Sequence, residues 1–354
     1  MTPLLPIHYP RPRLFLSAQT SPPANASAKI MSPKKRPPFR TQFTRRAGTA
    51  LALLATALAH AEQKGPAQRL LVANTGKVAI VAADGSIERE VKSAGLHDAA
   101  LLANGNLLYQ SSWTKITELN PEGQVVWEYD SAQANGNQGK PLEVHAFQRL
   151  ENGLTMISES GIGRLIEVDR AGTLRREITL TRDKPSKHSD TRLVRRTPAG
   201  TYLVAHEADG KVREYSREGK VIWEYAVPLF GKERAKGHGP EAFGNSLFSA
   251  IRIQNGNTLI GTGNGHSVLE VNPKGEIVWK IEQHDLPGIT LAWVTRVERL
   301  PNGNTRFGNC HAGPTMPFSI EVNSAKQVVW TYSDFERFGN STVAVDVVPS
   351  VRAK

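Results

Sequence analysis

The chain has 354 residues, 39% of them hydrophobic and 22% charged, with 30 Gly, 22 Pro and a single Cys. A chain of this length buries a large core without cross-links, and one Cys (Cys310) excludes a disulfide framework or a multi-Cys metal cluster. The net charge of +11 does not signal nucleic acid, because residues 1–61 hold nine Lys/Arg and no Asp or Glu, leaving 35 basic against 33 acidic residues elsewhere.

Arg45-Arg46 precede a mildly apolar run, Ala50 to Ala59, that ends in Ala59-His60-Ala61. Basic residues, a short apolar run and an A-x-A end are the parts of a signal peptide over residues 31–61 cleaved after Ala61, which predicts export to the periplasm or medium. The run is too short to span a bilayer, and the rest of the chain offers no transmembrane segment. Thr44-Arg45-Arg46 fits twin-arginine export, whereas Ala47-Gly48-Thr49 fits the general route, and both stay open. Residues 1–30 are Pro-rich and aperiodic. Translation starting at Met31 accounts for them, with a disordered extension as the alternative.

The remainder, 62–354, repeats. Asn104-Gly105-Asn106, Asn152-Gly153, Ala199-Gly200, Asn255-Gly256-Asn257 and Asn302-Gly303-Asn304 are turn signals at glycine spacings of 48, 47, 56 and 47. Each lies between two short apolar or alternating runs. A third run then ends in a turn such as Glu118-Leu-Asn-Pro-Glu-Gly123 or Glu270-Val-Asn-Pro-Lys-Gly275, and a fourth ends in Trp127, Trp223, Trp279 or Trp330. Four strands per unit of about 48 residues, joined by Gly/Asn turns, is a propeller blade. Five full units follow His97. Leu70–Ala73, Val78–Val81 and Ile87–Val91 supply only three strands, and Thr342–Val348 is a lone strand at the other end. The predicted fold is therefore an all-β, six-bladed β-propeller of four-stranded antiparallel blades, with the C-terminal strand completing the N-terminal blade and leaving no open sheet edge between them.

Residues found once per blade belong to the architecture. Glu118, Glu167, Glu214, Glu270 and Glu321, with the four tryptophans, are expected to pack and hydrogen-bond between blades. Function is expected on the other face, where the second-to-third loops and the blade crossings are long: Ser131–Glu143, Arg182–Ser189, Ala226–Ser246, Gln283–Leu291, Asn309–Phe318 and Ser333–Asn340. His97, His145, His188, His206, His238, His266, His284 and His311 all map to this face. His97 and His145 open first strands, which line the channel. His206, His266 and His311 close second strands, Asn309 lies beside the last of these, and Arg192, Arg252 and Arg296 fall in first strands. Imidazoles and guanidiniums at one mouth suit a small anion, a glycan or an envelope protein as partner. No H-x-H or H-E-x-x-H spacing occurs, so no metal is assigned, and the ligands of one would have to come from separate blades. Cys310-His311 are strand neighbours that point apart. Gly261-Thr-Gly-Asn-Gly265 lacks the helix that a phosphate loop needs. No cofactor is implied.

The pattern L-x-N-G-N-T-L…E-V-N-P-x-G-x-I-V-W, clearest over Leu259–Trp279 and Leu300–Trp330, resembles bacterial exported propellers with pyrroloquinoline-quinone-like repeats, and is similar to arylsulfotransferase-type six-bladed propellers. The resemblance covers 62–354. Quinoprotein dehydrogenases of this kind use eight blades, a calcium ion and a vicinal disulfide, and a single Cys excludes the last. The arylsulfotransferase resemblance implies a channel histidine as sulfuryl-carrying nucleophile, with His145 and His97 as candidates and Arg192, Arg252 and Arg296 as anion partners. Two readings follow: an exported propeller that binds a small anionic ligand, a glycan or a protein, or a group-transfer enzyme.

Overall fold

The structure, a computed structural model, describes residues 62–349, so the leader and the choice of start codon lie outside it. Six antiparallel sheets form the ring. Blade 1 runs Thr342–Val347, Leu70–Asn74, Lys77–Val81, Ile87–Lys92 from the channel outward. Blade 2 is Ala99–Leu101, Leu107–Gln110, Lys115–Leu119, Val125–Asp130. Blade 3 is Glu143–Arg149, Thr155–Ser160, Arg164–Val168, Leu174–Thr179. Blade 4 is Val194–Arg196, Tyr202–His206, Lys211–Tyr215, Val221–Ala226, and blade 5 is Ser249–Arg252, Thr258–Gly261, Val268–Val271, Ile277–Ile281. Blade 6 is Trp293–Arg299, Thr305–Cys310, Ser319–Val322, Val328–Ser333.

The C-terminal strand closes the ring, as the strand count requires, pairing Leu70 with Val347 and Val72 with Val345. Closure has a second component: Glu62–Lys64 adds a fifth strand to the outer edge of blade 6, with Gln63 opposite Tyr332. Between blades 6 and 1, Phe318, Trp330, Tyr332 and Phe338 bury against Leu70, Val72, Val81 and Val345, and a short helix, Phe335–Phe338, wedges into this seam.

The recurrent motifs explain one another. In blades 2, 4, 5 and 6 the third-strand Glu faces the fourth-strand Trp across the sheet. The second Asn of each Asn-Gly-Asn turn donates to that Glu: Asn106 to Glu118, Asn257 to Glu270 and Asn304 to Glu321, each at 2.7 Å. The Gly between the two Asn residues takes φ near +85°, a conformation that a side chain resists. From the next blade an Arg at the end of the innermost strand reaches back to the same Glu and lies over the Trp ring. Arg149 is 2.7 Å from Glu118 and 4.8 Å from the Trp127 ring, and Arg299 is 2.6 Å from Glu270 and 5.7 Å from the Trp279 ring. Blade 3 departs from the pattern, with Arg176 opposite Glu167 and Tyr202 of blade 4 donating to Glu167 at 2.6 Å.

Innermost strands meet at the channel, where ion pairs are set among apolar residues such as Leu193, Ala250 and Val345. Arg296 of blade 6 pairs with Asp98, at the entry to blade 2, and with Asp346 of blade 1. Arg195 of blade 4 grips both carboxylate oxygens of Asp98 at 2.9 and 3.0 Å, and the same carboxylate accepts from Phe147 N of blade 3 at 3.1 Å. Beside this network lies a cavity of about 240 Å³, lined among others by Arg195, Arg296, Phe307 and Asp346.

Deleting residues 341–354 removes an innermost strand and is expected to give insoluble protein or a non-cooperative melt. A soluble truncation with a wild-type melting curve would contradict ring closure. Glu118→Ala removes the carboxylate that half-buried Arg149 and the turn amide of Asn106 share and is expected to cost about 2 kcal/mol in urea denaturation.

Candidate functional site

Four residues ahead of the last residue of the innermost strand stand His97 in blade 2, His145 in blade 3 and Arg192 in blade 4, whereas blades 5 and 6 carry Phe248 and Thr295 there. The ring thus brings three chemically active side chains to one register on three consecutive blades. Two loop residues join them: Trp113 from the second-to-third loop of blade 2, and His188 from the crossing between blades 3 and 4. Ring centroids lie 4.5 Å apart for His97–His145, 5.2 Å for His145–His188 and 5.8 Å for His97–His188. Trp113 packs 5.5 to 6.2 Å from all three and keeps 42% of its surface exposed. Beneath it is Gly95 at φ +71°, where a Cβ would meet the indole at 2.4 Å, so this position admits the indole because it is glycine.

Glu143 organises the imidazoles. Its Oε2 is 3.0 Å from His145 Nε2 and 2.7 Å from His188 Nδ1, and its Oε1 is 3.3 Å from Lys187 Nζ. A carboxylate only accepts, so His188 gives it the Nδ1 proton and turns Nε2 toward solvent. His145 is fully buried, with Arg192 Nη1 2.8 Å and Thr191 O 3.0 Å from its Nδ1. Arg192 also donates to His188 O at 2.5 Å and is neutralised by Glu207. His97 Nδ1 donates to Gly95 O at 2.8 Å, and its Nε2 has no hydrogen-bond partner among the described residues.

The electrostatics oppose a cationic mouth. Burial, reinforced by Arg192, pushes His145 down to about 4, and burial with the His145 charge holds His97 well below its usual range. Burial alone would raise Glu143, but the bonds from His145 and His188 outweigh it and bring it to about 2. At neutral pH the site therefore holds a carboxylate and neutral buried imidazoles.

Five other predicted residues are spent in the scaffold. His206 is buried with Nδ1 3.0 Å from Asp190 O and Nε2 2.9 Å from Tyr215 Oη. His266 sits between the carbonyls of Ala292 and Ala242. Asn309 accepts from Ala292 N at 2.8 Å and donates to Thr290 O at 3.2 Å, pinning the crossing into blade 6. Arg252 lies at the tight-turn end of its strand, bound to Glu214 and to Thr258 Oγ1 at 2.6 Å, because it ends its strand where Arg192 precedes one. Arg296 is one register away from Arg192 and belongs to the channel network. His311 forms a separate pair with His238 at 5.1 Å beside Trp293, and burial pushes it down to about 4. Cys310 is buried and burial raises its thiol to about 12, so it is no nucleophile. Sequence reading left Glu143, His188 and Trp113 unselected. The legible signal was Glu143-Val-His145, which puts two donors on one face of a strand.

Comparison with known proteins agrees with the architecture. Residues 185–296 match the PQQ_2 family model, described as outer membrane protein assembly factor BamB. A search of the curated proteins gives no match. Among solved structures, a Bacteroides caccae protein of unknown function is 21% identical with a TM-score of 0.65, covering 78% of this chain and 97% of that one. A streptogramin B lyase is 12% identical with a TM-score of 0.51, covering 77% and 87%. A catalytically inactive His→Ala variant of virginiamycin B lyase from Staphylococcus aureus, with quinupristin, is 14% identical with a TM-score of 0.52, covering 77% and 88%. These likenesses are likenesses of fold. The chain is a six-bladed β-propeller with PQQ-like repeats, and among the described residues no helix is long and apolar enough to cross a membrane.

Buried neutral imidazoles set a pH dependence. Unfolded histidines take up protons near 6.5, whereas His145 and His206 resist until about 4. Between these values the unfolded chain binds more protons, so stability falls as pH drops from 6.5 toward 4. Each group contributes a slope of about 1.4 kcal/mol per pH unit, and His206→Gln is expected to remove one such increment in denaturation series at stepped pH. The Glu143 contribution is lost only as pH falls from about 4.5 through 2, below that window.

Proposed function

We propose that the protein is an exported ligand-binding propeller whose working site is the His97–Trp113–His145–His188 pocket on the rim of blades 2–4, and that its ligand presents a ring, as a saccharide does. The observation that carries this reading is the half-exposed indole of Trp113, held in place over Gly95 with three imidazoles at its edge. An indole face stacks on a ring, while His188 Nε2 and His97 Nε2 take hydrogen bonds from its polar edge. Neutral His97 and His145, with Arg192 already matched by Glu207, favour a polar ring over a simple anion. Export rests on the leader motif. A protein partner, in keeping with the assembly factor that the repeat model describes, would use the same elaborated face.

A second reading has one observation in its favour. Glu143 orients His188 so that Nε2 faces solvent, the arrangement of a general base, and two of the fold neighbours are lyases by name. For sulfuryl transfer, His97 offers a free Nε2, while His145 has both ring nitrogens engaged.

Calorimetric titration with a panel of oligosaccharides is expected to show binding that Trp113→Ala weakens by about 2 kcal/mol, roughly 30-fold. Absence of binding by wild type, or binding indifferent to Trp113→Ala, overturns the reading. Turnover of an aryl sulfate with a phenol, lost in His97→Ala, would instead establish the transferase.

A further inference from the structure

We infer that Glu143, His145 and His188 form a site for a divalent transition metal of the zinc class, which completes the pocket proposed above and offers its open coordination position to an oxygen of the ligand. One donor atom from each of the three residues lies within 4.8 Å of the others. The carboxylate oxygen is 3.0 Å from one imidazole nitrogen and 2.7 Å from the other. A tetrahedral ion with bonds of about 2.0–2.1 Å holds its ligand atoms roughly 3.3 Å apart. The two carboxylate–imidazole distances therefore open by a few tenths of an ångström, while the two imidazole nitrogens, within 4.8 Å of each other, close toward the same spacing. Two imidazoles and one carboxylate, with a fourth position free, are a donor set for zinc and its neighbours and not for the hard ions magnesium or calcium.

The surroundings support the assignment. Glu143 and His145 sit two residues apart on the innermost strand of blade 3, at a register shift opposite Ser158 and Glu159, so the backbone fixes both. His145 has a carbonyl, Thr191 O, 3.0 Å from the ring nitrogen that faces away from Glu143, the outer contact that orients a metal-binding imidazole. Its tautomer becomes the mark of occupancy. Without an ion, Nε2 carries the proton toward Glu143 and Nδ1 accepts from Arg192. With an ion on His145 Nε2 and His188 Nδ1, the His145 proton sits on Nδ1 and goes to Thr191 O, and Arg192 is left to His188 O and Glu207. His188 then carries its proton on Nε2, which donates to the ligand where in the ion-free form it accepts. His97, outside the three-residue cluster, and Trp113 flank it and bound the space in which an ion-bound oxygen would lie.

Protein stripped with a chelator and titrated with Co²⁺ tests this. Expected are about one ion per chain, visible d–d bands of a low-coordinate ion and displacement by Zn²⁺. His188→Ala and Glu143→Gln are each expected to weaken Co²⁺ binding more than about 100-fold, beyond the effect of losing an outer-shell contact. His238→Ala, in the separate pair beside Trp293, leaves it unchanged. Should Glu143→Gln fail to fold, paramagnetic shifts of the His145 and His188 ring protons in wild type, with none on His206, give the same answer. Failure to bind Co²⁺, binding that survives both substitutions, or equal loss in His238→Ala overturns the inference. The ring ligand and the ion are separable: saccharide binding by a protein that fails to bind Co²⁺ upholds the ring ligand and overturns the metal, and tight Co²⁺ with no saccharide binding in either form does the reverse.

Discussion

Asp98 is the constraint on which the rest of the ring depends. One buried carboxylate accepts from blade 3, is gripped by Arg195 of blade 4 and pairs with Arg296 of blade 6, which in turn reaches Asp346 of blade 1. Six twisted sheets that meet at a channel leave a space too narrow for large apolar side chains from every strand. Charges that pair across it satisfy one another while tying non-adjacent blades together. Two aspartates and two arginines cancel, so this network carries no net charge to draw in an anion. Chemistry is displaced from the bore to the rim, where His97, the neighbour of Asp98, begins the pocket.

The seams between blades 2 and 3, 4 and 5, and 5 and 6 are held by a different, repeated device. A carboxylate, an indole and a guanidinium from the next blade meet at one register, and the turn asparagine adds a fourth contact. Each component satisfies another that would be costly to bury alone. At the closing seam blade 1 offers no arginine at the end of its innermost strand, and Arg306 of blade 6 turns to Glu321 and Trp330 within its own sheet. The additional strand Glu62–Lys64 and the aromatic wedge of Phe318, Tyr332 and Phe338 reinforce that same junction.

The fold was legible because its signals are local and repeated: Asn-Gly-Asn turns, the third-strand Glu and the fourth-strand Trp recur at a fixed period, and the orphan strand at the C-terminus had one vacancy to fill. The strand Glu62–Lys64 was not, since Glu-Gln-Lys has no alternation to read. The pocket was legible only in part. His145 follows from its place in a first strand and His97 from its place two residues ahead of one. Arg192 and Arg296 look alike in sequence, each after a Thr, yet they differ by one register and face different sites. Glu143 reads as the last residue of a loop until the strand is seen to begin there. His188 and Trp113 come from loops whose destinations depend on the twist between blades, and no spacing along the chain encodes that.

A site on a rim has a different reach from one in a bore. Because Trp113 and His188 lie open to solvent on the rim, nothing has to be threaded to arrive there. A polymer can rest an interior unit on the indole while both of its tails run off across the surface, so length in the guest is no barrier to recognition.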